Sequence, residues 1–168
     1  MVTDAAMNVD TARPATTGPI PRCAGFTAIE MLVVASIVAV LASIAMPSFA
    51  DFTANQRLRM ASYDLIADLV FARGEAVKRN NRVTIARVGS NWAGGWAVAD
   101  RNGNTLRRHP ALDVSVIEST GPATVTFDLD GHQVGSTTAI FTFDDATAKA
   151  TIPVHKVILD PSGRPRAS

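Results

Sequence analysis

A long apolar stretch near the N-terminus constrains this chain more than any other feature. Between Gly25 and Ala50 the sequence carries almost no charge, and its only charge before Asp51 is on Glu30. The apolar run covers about 20 residues, or roughly 30 Å as a helix, which is enough to cross the hydrocarbon core of a bilayer. A helix on the surface of a soluble domain would carry a polar stripe, and none is present here. The stretch therefore predicts a membrane-spanning segment.

Hydropathy alone leaves two interpretations of this stretch open. A secretory signal would use Arg13 and Arg22 as its basic region and would be removed after Ala50. A retained anchor would keep the apolar segment, and the same arginines would hold its N-terminal end in the cytoplasm. Glu30 favours retention, because a carboxylate in an apolar run is costly unless it has a partner. The rest of the protein would then lie outside the inner membrane.

A second helical pattern runs from Phe52 to Lys78, and Asn80-Asn81 predicts its end. Pro47, which removes a backbone hydrogen bond, predicts a bend or loosening before it. Apolar residues at intervals of three or four indicate one buried face, formed by Leu58, Ala61, Leu65, Leu69, Ala72 and Ala76. The charged residues that lie largely off this face are Arg57, Asp64, Asp68, Glu75 and Lys78.

After Asn81 the helical spacing gives way to alternation, which predicts strands. The predicted strands are Arg82–Val88, Gly95–Ala99, Thr105–Arg108, Val114–Glu118, Thr124–Leu129, Ala139–Phe143 and Ile152–Leu159. Hairpin turns are predicted at Asn102-Gly103 and Asp130-Gly131. We therefore expect an α+β fold, in which a long N-terminal helix, first transmembrane and then amphipathic, packs on an antiparallel β-sheet head.

The front of the apolar run resembles the class III signal of type IV pilins and pseudopilins. The shared pattern is Gly25 followed by Phe26, with Glu30 five positions after the glycine and an uninterrupted apolar run beyond it. The resemblance implies that a prepilin peptidase cuts after Gly25 and methylates the new N-terminal Phe26. It also implies that Glu30 acts in assembly, through a positively charged terminal amine of its own or a neighbouring subunit. A leader of this length is long for the family, unless Met7 is the true start.

The body of the chain carries a second resemblance, which extends over residues 25–166. Its motifs are Arg57-Leu58-Arg59, the stretch 68–76, Gly94-Gly95-Trp96 before Asp100-x-Asn102-Gly103, and Gly163-Arg164-Pro165-Arg166. These are similar to the GspH/FimT family of minor pilins and type II secretion pseudopilins. In the FimT branch a basic C-terminal motif is implicated in DNA uptake, whereas members of the GspH branch help to cap a secretion pseudopilus.

The patterns and the resemblances together divide the chain into four parts. We expect a prepilin leader over residues 1–25 and a transmembrane helix segment over residues 26–50. An amphipathic helix is expected over residues 51–81, and a β-rich head with a basic C-terminal tail over residues 82–168.

The C-terminal residues form a turn pattern followed by a basic segment. Asp160–Gly163, with the sequence Asp-Pro-Ser-Gly, matches the positions that a type I turn favours. Pro165 biases Arg164 toward extended geometry, in which residues two apart point the same way. Arg164 and Arg166 would then present two guanidinium groups side by side, each able to bind a phosphate. The alternative is a frayed, solvated terminus whose arginines only aid solubility.

Arg101, Arg107 and Arg108 form a second basic cluster around the Asn102-Gly103 turn. A solvated hairpin is one interpretation of this cluster. The other is a set of secondary DNA contacts, if the fold brings the two basic clusters together, which the sequence leaves open. Because the net charge of the chain is only +1, any nucleic-acid site must be local.

The remaining residues predict neither catalysis nor a cofactor. The single cysteine, Cys23, lies in the predicted leader, so a processed chain would have no thiol for catalysis, disulfides or metal binding. The three histidines share no metal-ligand spacing, and the 128–131 turn lacks the other ligands of a calcium loop. Trp92 and Trp96 are expected as aromatic residues of the core or its rim rather than as surfaces for base stacking. We expect no enzyme, no metal site and no cofactor.

These observations favour a membrane-inserted precursor that is processed and assembled as a minor subunit of a type IV pilus and captures DNA for natural transformation. The expected partners are DNA, other major and minor pilins, the prepilin peptidase and the inner membrane. The head is expected in the periplasm and then on a surface filament or its tip. Two alternatives stay open: a type II secretion pseudopilin with a structural role and no DNA binding, and a membrane-anchored or secreted β-rich binding domain that never enters a filament.

Overall fold

The computed structural model describes residues 25–168, so the predicted leader before Gly25 lies outside the described part of the chain. The chain divides between Val40 and Leu41 into two compact units, and each is described by itself. One long helix, α1, spans Ala28–Arg79. All of the strands belong to the second unit.

In the first unit, α1 begins with a capped turn. The side-chain oxygen of Thr27 accepts a hydrogen bond from the backbone N–H of Glu30 at 3.3 Å, as an N-cap residue does. Glu30 lies in the first turn of α1, where a carboxylate is favourable because the helix N-terminus carries partial positive charge. Ser36 donates its hydroxyl to the Leu32 carbonyl at 2.8 Å, so its polar group is satisfied within the helix.

Length and composition make α1 able to cross a membrane, and it is the one such helix in the described residues. An 18-residue window of α1 has a mean hydropathy of 2.4, and none of that window is buried. A signal sequence would pass the same test, so hydropathy by itself does not distinguish a removed secretory signal from a retained anchor.

In the second unit, the inner face of α1 is the one that the apolar spacing predicts. All six residues of the predicted stripe are buried, namely Leu58, Ala61, Leu65, Leu69, Ala72 and Ala76. Burying one leucine side chain contributes about 1.5–3 kcal/mol. The predicted helix end is also confirmed. Asn80 has a φ of +50°, and its N–H donates to the Val77 carbonyl while the Asn81 N–H donates to Ala76, a Schellman arrangement.

Eight strands follow the helix and form two four-stranded sheets. They are β1 (Val83–Arg87), β2 (Trp96–Asp100), β3 (Thr105–His109), β4 (Val116–Thr120), β5 (Thr124–Phe127), β6 (Ala139–Asp145), β7 (His155–Leu159) and β8 (Pro165–Ala167). Sheet A has the order β3-β2-β1-β5 and sheet B has the order β4-β6-β7-β8. Every pairing is antiparallel, so the predicted α+β fold class is confirmed.

One apolar core joins α1 to both sheets. Its fully buried aromatic residues are Trp92, Trp96, Phe127, Phe141 and Phe143. The rings of Trp92 and Phe141 meet edge to face, with 4.9 Å between their centroids. Both tryptophans are therefore core residues, as the sequence predicts.

Two strands begin two or more residues later than predicted. The strand predicted from Ile152 begins at His155, because Pro153 has no N–H to donate to a ladder. The strand predicted from Val114 begins at Val116, since the preceding residues form a turn. In that turn the Asp113 carboxylate accepts hydrogen bonds from the backbone and side chain of Ser115.

Asp68 corrects the expected pattern of charges on α1. The sequence groups Asp68 with the charged residues that lie largely off the buried face of the helix, but it is only 5% exposed. Its carboxylate accepts hydrogen bonds from the Trp96 indole N–H at 2.8 Å and from the Arg107 guanidinium at 2.9 Å. A buried carboxylate is stable only with such partners, and here they join α1 to β2 and β3.

Candidate nucleic-acid interface

The Asp160–Gly163 turn connects β7 to β8. The Gly163 N–H donates to the Asp160 carbonyl at 2.8 Å, and the Asp160 N–H donates to the Arg164 carbonyl at 3.3 Å. Gly163 has a φ of +76°, which favours glycine. Its backbone also packs so closely on the Gly131 carbonyl that an added Cβ would overlap that oxygen. The turn is therefore held by its own hydrogen bonds and by the neighbouring 128–131 turn.

β8 is a strand that the sequence analysis did not predict, in a segment expected to be an extended tail. Its residues pair in register with β7: Pro165 with Leu159, Arg166 with Ile158 and Ala167 with Val157. Leu159 and Val157 are buried and Ile158 is only partly so, which places Arg166 on the face of sheet B away from the core. Arg164 and Arg166 are both exposed. The edge strand thus provides extended geometry for Arg166, and Arg164 immediately precedes that strand.

Pro165 fits this edge because of its register. Lys156 and Ser168 exchange both backbone hydrogen bonds, at 3.2 and 2.9 Å. Such pairs alternate along an antiparallel ladder, so Arg166 is bonded to β7 while the backbone nitrogen of Pro165 faces outward. The missing N–H of the proline therefore costs no ladder bond.

Three cations lie on the outer face at this edge. Arg166 pairs with Ile158, and Lys156 lies two residues earlier on β7, so both point away from the core. Lys156 is exposed and makes no ion pair among residues 25–168, and the same holds for Arg164. Arg166 is 63% exposed and its Nε lies 4.0 Å from an Asp160 carboxylate oxygen. A surface pair of this kind contributes at most about 1 kcal/mol, so it leaves Arg166 available to a phosphate.

One residue of the second basic cluster, Arg101, lies at the same end of the second unit as the Asp160–Gly163 turn. Val83, the first residue of β1, is paired with Asp100 on one side and with Phe127 on the other. The turns that follow Asp100 and Phe127 therefore flank the start of β1, and the Asp160–Gly163 turn packs on the latter. Strands lie about 4.8 Å apart, so the Arg101 turn and the 128–131 turn are separated by roughly 10–15 Å. Arg101 and the Asp160–Gly163 turn therefore share one end of the fold, and Arg101 is exposed there. Arg108 pairs with Ala97, toward the opposite end of sheet A.

These turns share one hydrogen-bonding pattern with the sequence Asp-x-x-Gly. In each, the glycine N–H donates to the aspartate carbonyl and the aspartate N–H donates to the carbonyl after the glycine. The glycines Gly103, Gly131 and Gly163 all have positive φ. In the first turn, hydrogen bonds from the side chain and backbone of Asn104 hold the pKa of Asp100 below its usual value. An ionised carboxylate therefore lies beside the Arg101 position.

Arg107 and Arg108 face opposite sides of β3. Arg107 pairs with buried Val98 and turns toward α1, where its guanidinium binds Asp68 and stacks 3.7 Å from the centre of the Phe71 ring. Arg108 is exposed and makes no ion pair within the described residues. The sequence groups these neighbours together, whereas strand alternation separates them.

The predicted assembly residues belong to the first unit. Gly25 and Phe26 precede α1, and the Phe26 side chain is 71% exposed. No ion pair in the described part of the chain involves Glu30. A peptidase site and an unpaired carboxylate are both compatible with this exposure.

No group of three or more metal-ligating side chains occurs within residues 25–168. Two of the histidines have structural contacts. His109 stacks on Trp96 at 4.1 Å between ring centroids, and His155 lies 2.7 Å from the Asn55 side-chain oxygen.

A comparison with models of known protein families shows the family to which this chain belongs. The model of the family described as Type II transport protein GspH matches residues 61–163, which is more than half of the sequence. The chain belongs to the GspH family. The matched residues include the cluster Arg101, Arg107 and Arg108. They exclude the Gly25–Glu30 segment and end immediately before Arg164 and Arg166.

Solved structures agree with this GspH-family fold. Two crystal forms of the type IV minor pilin FimU from Pseudomonas aeruginosa (strain PAO1) are similar to the chain, each at 23% sequence identity. The form in space group P21 has a TM-score of 0.59 and covers 70% of this chain and 92% of FimU. The form in space group P65 has a TM-score of 0.56 and covers 66% and 91%. No curated protein sequence matches the chain.

Proposed function

We propose that this GspH-family protein is a minor type IV pilin that binds DNA without sequence preference, for DNA uptake in natural transformation. The observation that carries the proposal is a pair of exposed arginines at the edge of sheet B: Arg164 immediately before β8 and Arg166 on its outer face, with Lys156 beside them. Arginine binds phosphate through a planar fork of donors, so a row of exposed cations fits a nucleic-acid backbone.

The expected affinity follows from the small number of cations. Three side chains and a net charge of +1 predict a dissociation constant in the micromolar range or weaker at physiological salt. Phosphate contacts release counterions and carry no base identity, so binding should fall steeply with salt and depend little on sequence. Arg101 would add a secondary contact at the same end, and exposed Arg108 a more distant one. Arg107 is held by Asp68 and would contribute least.

A binding assay with a charge-matched control tests this proposal. The full-length chain, purified in detergent, is titrated against a labelled duplex at several salt concentrations. We expect R164Q/R166Q to lose detectable binding at physiological salt, and any residual binding to lose about 1.8 from its log–log salt slope. The control R57Q/R87Q removes the same charge from residues outside the three Asp-x-x-Gly turns and β8, and should bind like the parent. Equal binding by R164Q/R166Q and the parent would refute the proposal.

A structural role in a type II secretion pseudopilus is the second candidate. The family description favours it directly, because the matching model is that of a type II transport protein. This candidate requires no DNA contact. A deletion strain separates the two: loss of transformation with normal secretion supports the pilin, whereas loss of secretion with normal transformation supports the pseudopilin.

Both candidates share the proposed processing at the front of α1. Prepilin peptidase would cut between Gly25 and Phe26 and methylate Phe26, and the apolar segment would anchor the mature protein in the inner membrane with its second unit in the periplasm. Mass spectrometry of the membrane-extracted protein should find N-methylated Phe26 at the terminus. A terminus at Asp51 would show that the segment is a removed signal and would exclude a filament role.

Assembly with other major and minor pilins would depend on Glu30. Its carboxylate lacks an ion-pair partner in residues 25–168, and lipid supplies none, so a neighbouring terminal amine is the proposed partner. The E30A variant should be inserted and cleaved but poorly recovered in sheared filaments. E30Q, which keeps the shape and loses the charge, should show the same defect.

A further inference from the structure

A groove runs beside β8 on the side opposite the arginines. It has a volume of about 330 Å³, at the small end of the range for ligand pockets. Its walls come from α1, from the loop before β7 and from the end of β8, and are formed by Arg59, Ser62, Tyr63, Pro153, Val154, His155, Ala167 and Ser168. No acidic side chain contributes to these walls.

Tyr63 gives the groove an available aromatic face. It is 59% exposed, whereas every other aromatic side chain from residue 58 onward is buried or only partly exposed. Tyr63 lies on the side of α1 away from the buried stripe, so its exposed ring is not required by the core. An exposed ring beside an apolar wall is a surface on which a planar group can stack.

Arg59 gives the groove an unpaired cation. Its side chain is exposed and forms no ion pair within residues 25–168. Burial, reinforced by the positive charge of Arg59, holds the pKa of His155 below its usual value, so the histidine is neutral near pH 7. The side chains of the groove therefore combine one cation, which has no ion pair within residues 25–168, with neutral residues.

We infer that this groove binds an unpaired nucleobase of the DNA whose phosphates contact Arg164 and Arg166. The inference rests on the proposed function and narrows it, because it assigns the site a preference for single-stranded or frayed DNA. Residues 164–167 span about 10 Å, with Arg164 just before β8, Arg166 on its outer face and Ala167 lining the groove. A single strand that crosses this edge places phosphates on the outer face and a base against Tyr63.

A duplex offers the groove much less. Its bases are paired and stacked, and removing one costs a few kcal/mol, so duplex DNA would contact the arginines alone. A single strand has free base faces, and stacking on an aromatic ring tolerates any base. The preference is therefore for strandedness and not for sequence.

The test separates phosphate contact from base contact. Three labelled ligands are compared with the full-length chain in detergent: a thymidine strand of about 12 nucleotides, within the usual range of single-strand site sizes, an abasic strand with the same backbone, and a duplex of equal length. The parent should bind the thymidine strand about 5- to 150-fold more tightly than the abasic strand. Y63A should lose this preference without losing duplex binding, and Y63F, which retains a ring, should keep it.

Each contrary result has a distinct meaning. Equal binding of thymidine and abasic strands by the parent, or an unchanged preference in Y63A, would overturn the groove assignment and leave phosphate binding by the arginines intact. A protein segment would then be the expected occupant of the groove. Failure of the parent to bind any of the three ligands would overturn both the groove and the proposed function. Photocrosslinking of a 5-iodouracil strand, read by mass spectrometry, should place the adduct on the peptide that contains Tyr63. Tryptophan fluorescence from buried Trp92 and Trp96 verifies that each variant is folded.

Discussion

Arginine is placed on two edge strands of this protein, β3 and β8, and the two strands use it differently. On β3, the Arg107 guanidinium is held by the Asp68 carboxylate at 2.9 Å and lies over the Phe71 ring. On β8, Arg166 has one ion pair, at 4.0 Å, and Arg164, immediately before that strand, has none in the described chain. The same residue type thus stabilises the fold on one edge and stays available to a ligand on the other. The partner that the fold supplies, and not the count of basic residues, separates the two roles.

The turns before these two strands also differ in their contacts, because Gly163 packs on the Gly131 carbonyl and Gly103 packs on nothing within residues 25–168. Replacing the two glycines should give the largest difference in stability. Gly163→Ala should lower the free energy of unfolding by about 3 kcal/mol or more, because alanine is strained at a φ of +76° and its Cβ would overlap the Gly131 carbonyl. Gly103→Ala, at +85° with nothing within 4 Å of the added carbon, should cost about 1–2 kcal/mol. Denaturant titration measures both. Equal losses would show that the packing between the 128–131 and 160–163 turns contributes nothing.

Within β3, neighbouring arginines provide the next test. R107Q should lower the free energy of unfolding by about 1–3 kcal/mol, because it removes a charged partner from the buried Asp68 carboxylate. R108Q, one residue away on the exposed face, should stay within about 0.5 kcal/mol of the parent. The same denaturant titration compares them. A stability loss in R108Q as large as that in R107Q would contradict the division of this strand into a structural and a solvated face.

The loss of DNA affinity should be larger for the arginines at β8 than for those on the β2–β3 hairpin. R101Q/R108Q should weaken duplex binding by about two- to fivefold at low salt, since these side chains act over a distance comparable to the screening length. R164Q/R166Q should have a much larger effect on the same duplex. Fluorescence anisotropy over a salt series measures both. If R101Q/R108Q has the larger effect, the primary contact lies on the β2–β3 hairpin.

The smallest expected effect concerns the one carboxylate near the β8 pair. D160N should strengthen duplex binding by about two- to threefold at low salt, because it removes the negative charge 4.0 Å from Arg166. Asparagine also suits the first position of the turn, so the fold should be retained. D130N, which removes an exposed charge from the neighbouring turn, is the matched control. Identical gains in both variants would indicate a general charge effect and no specific competition for Arg166.

Most of the fold could be predicted from the sequence because its strongest signals are repetitive. Six apolar positions at helical spacing define the buried face of α1, and every one of them is buried. Asn80 marks the helix end because asparagine tolerates positive φ. Alternation finds the strands that contain β-branched residues. The family resemblance, carried by short motifs, agrees with the match over residues 61–163.

The parts that sequence reasoning missed depend on partners distant in the chain. β8 has three residues, one of them proline, so it carries no strand signal and exists because β7 supplies a register. Asp68 is polar by composition, and only Trp96 and Arg107, from two other elements, explain its burial. The sequence does not single out Tyr63, because the groove that it lines is completed by the loop at Pro153 and the end of β8, which are distant from it in the chain.

The one-sided bonding of β8 has a consequence for its motion. An edge strand with a single neighbour can detach and return without unfolding the rest of the domain, since only its own few hydrogen bonds must break. Amide hydrogen exchange at Arg166 and Ser168 should therefore be faster than at the interior strands β1 and β6. Under the proposed DNA binding, each opening would release the arginine pair as a short flexible arm, which could reach a phosphate backbone over a wider volume than the paired strand can.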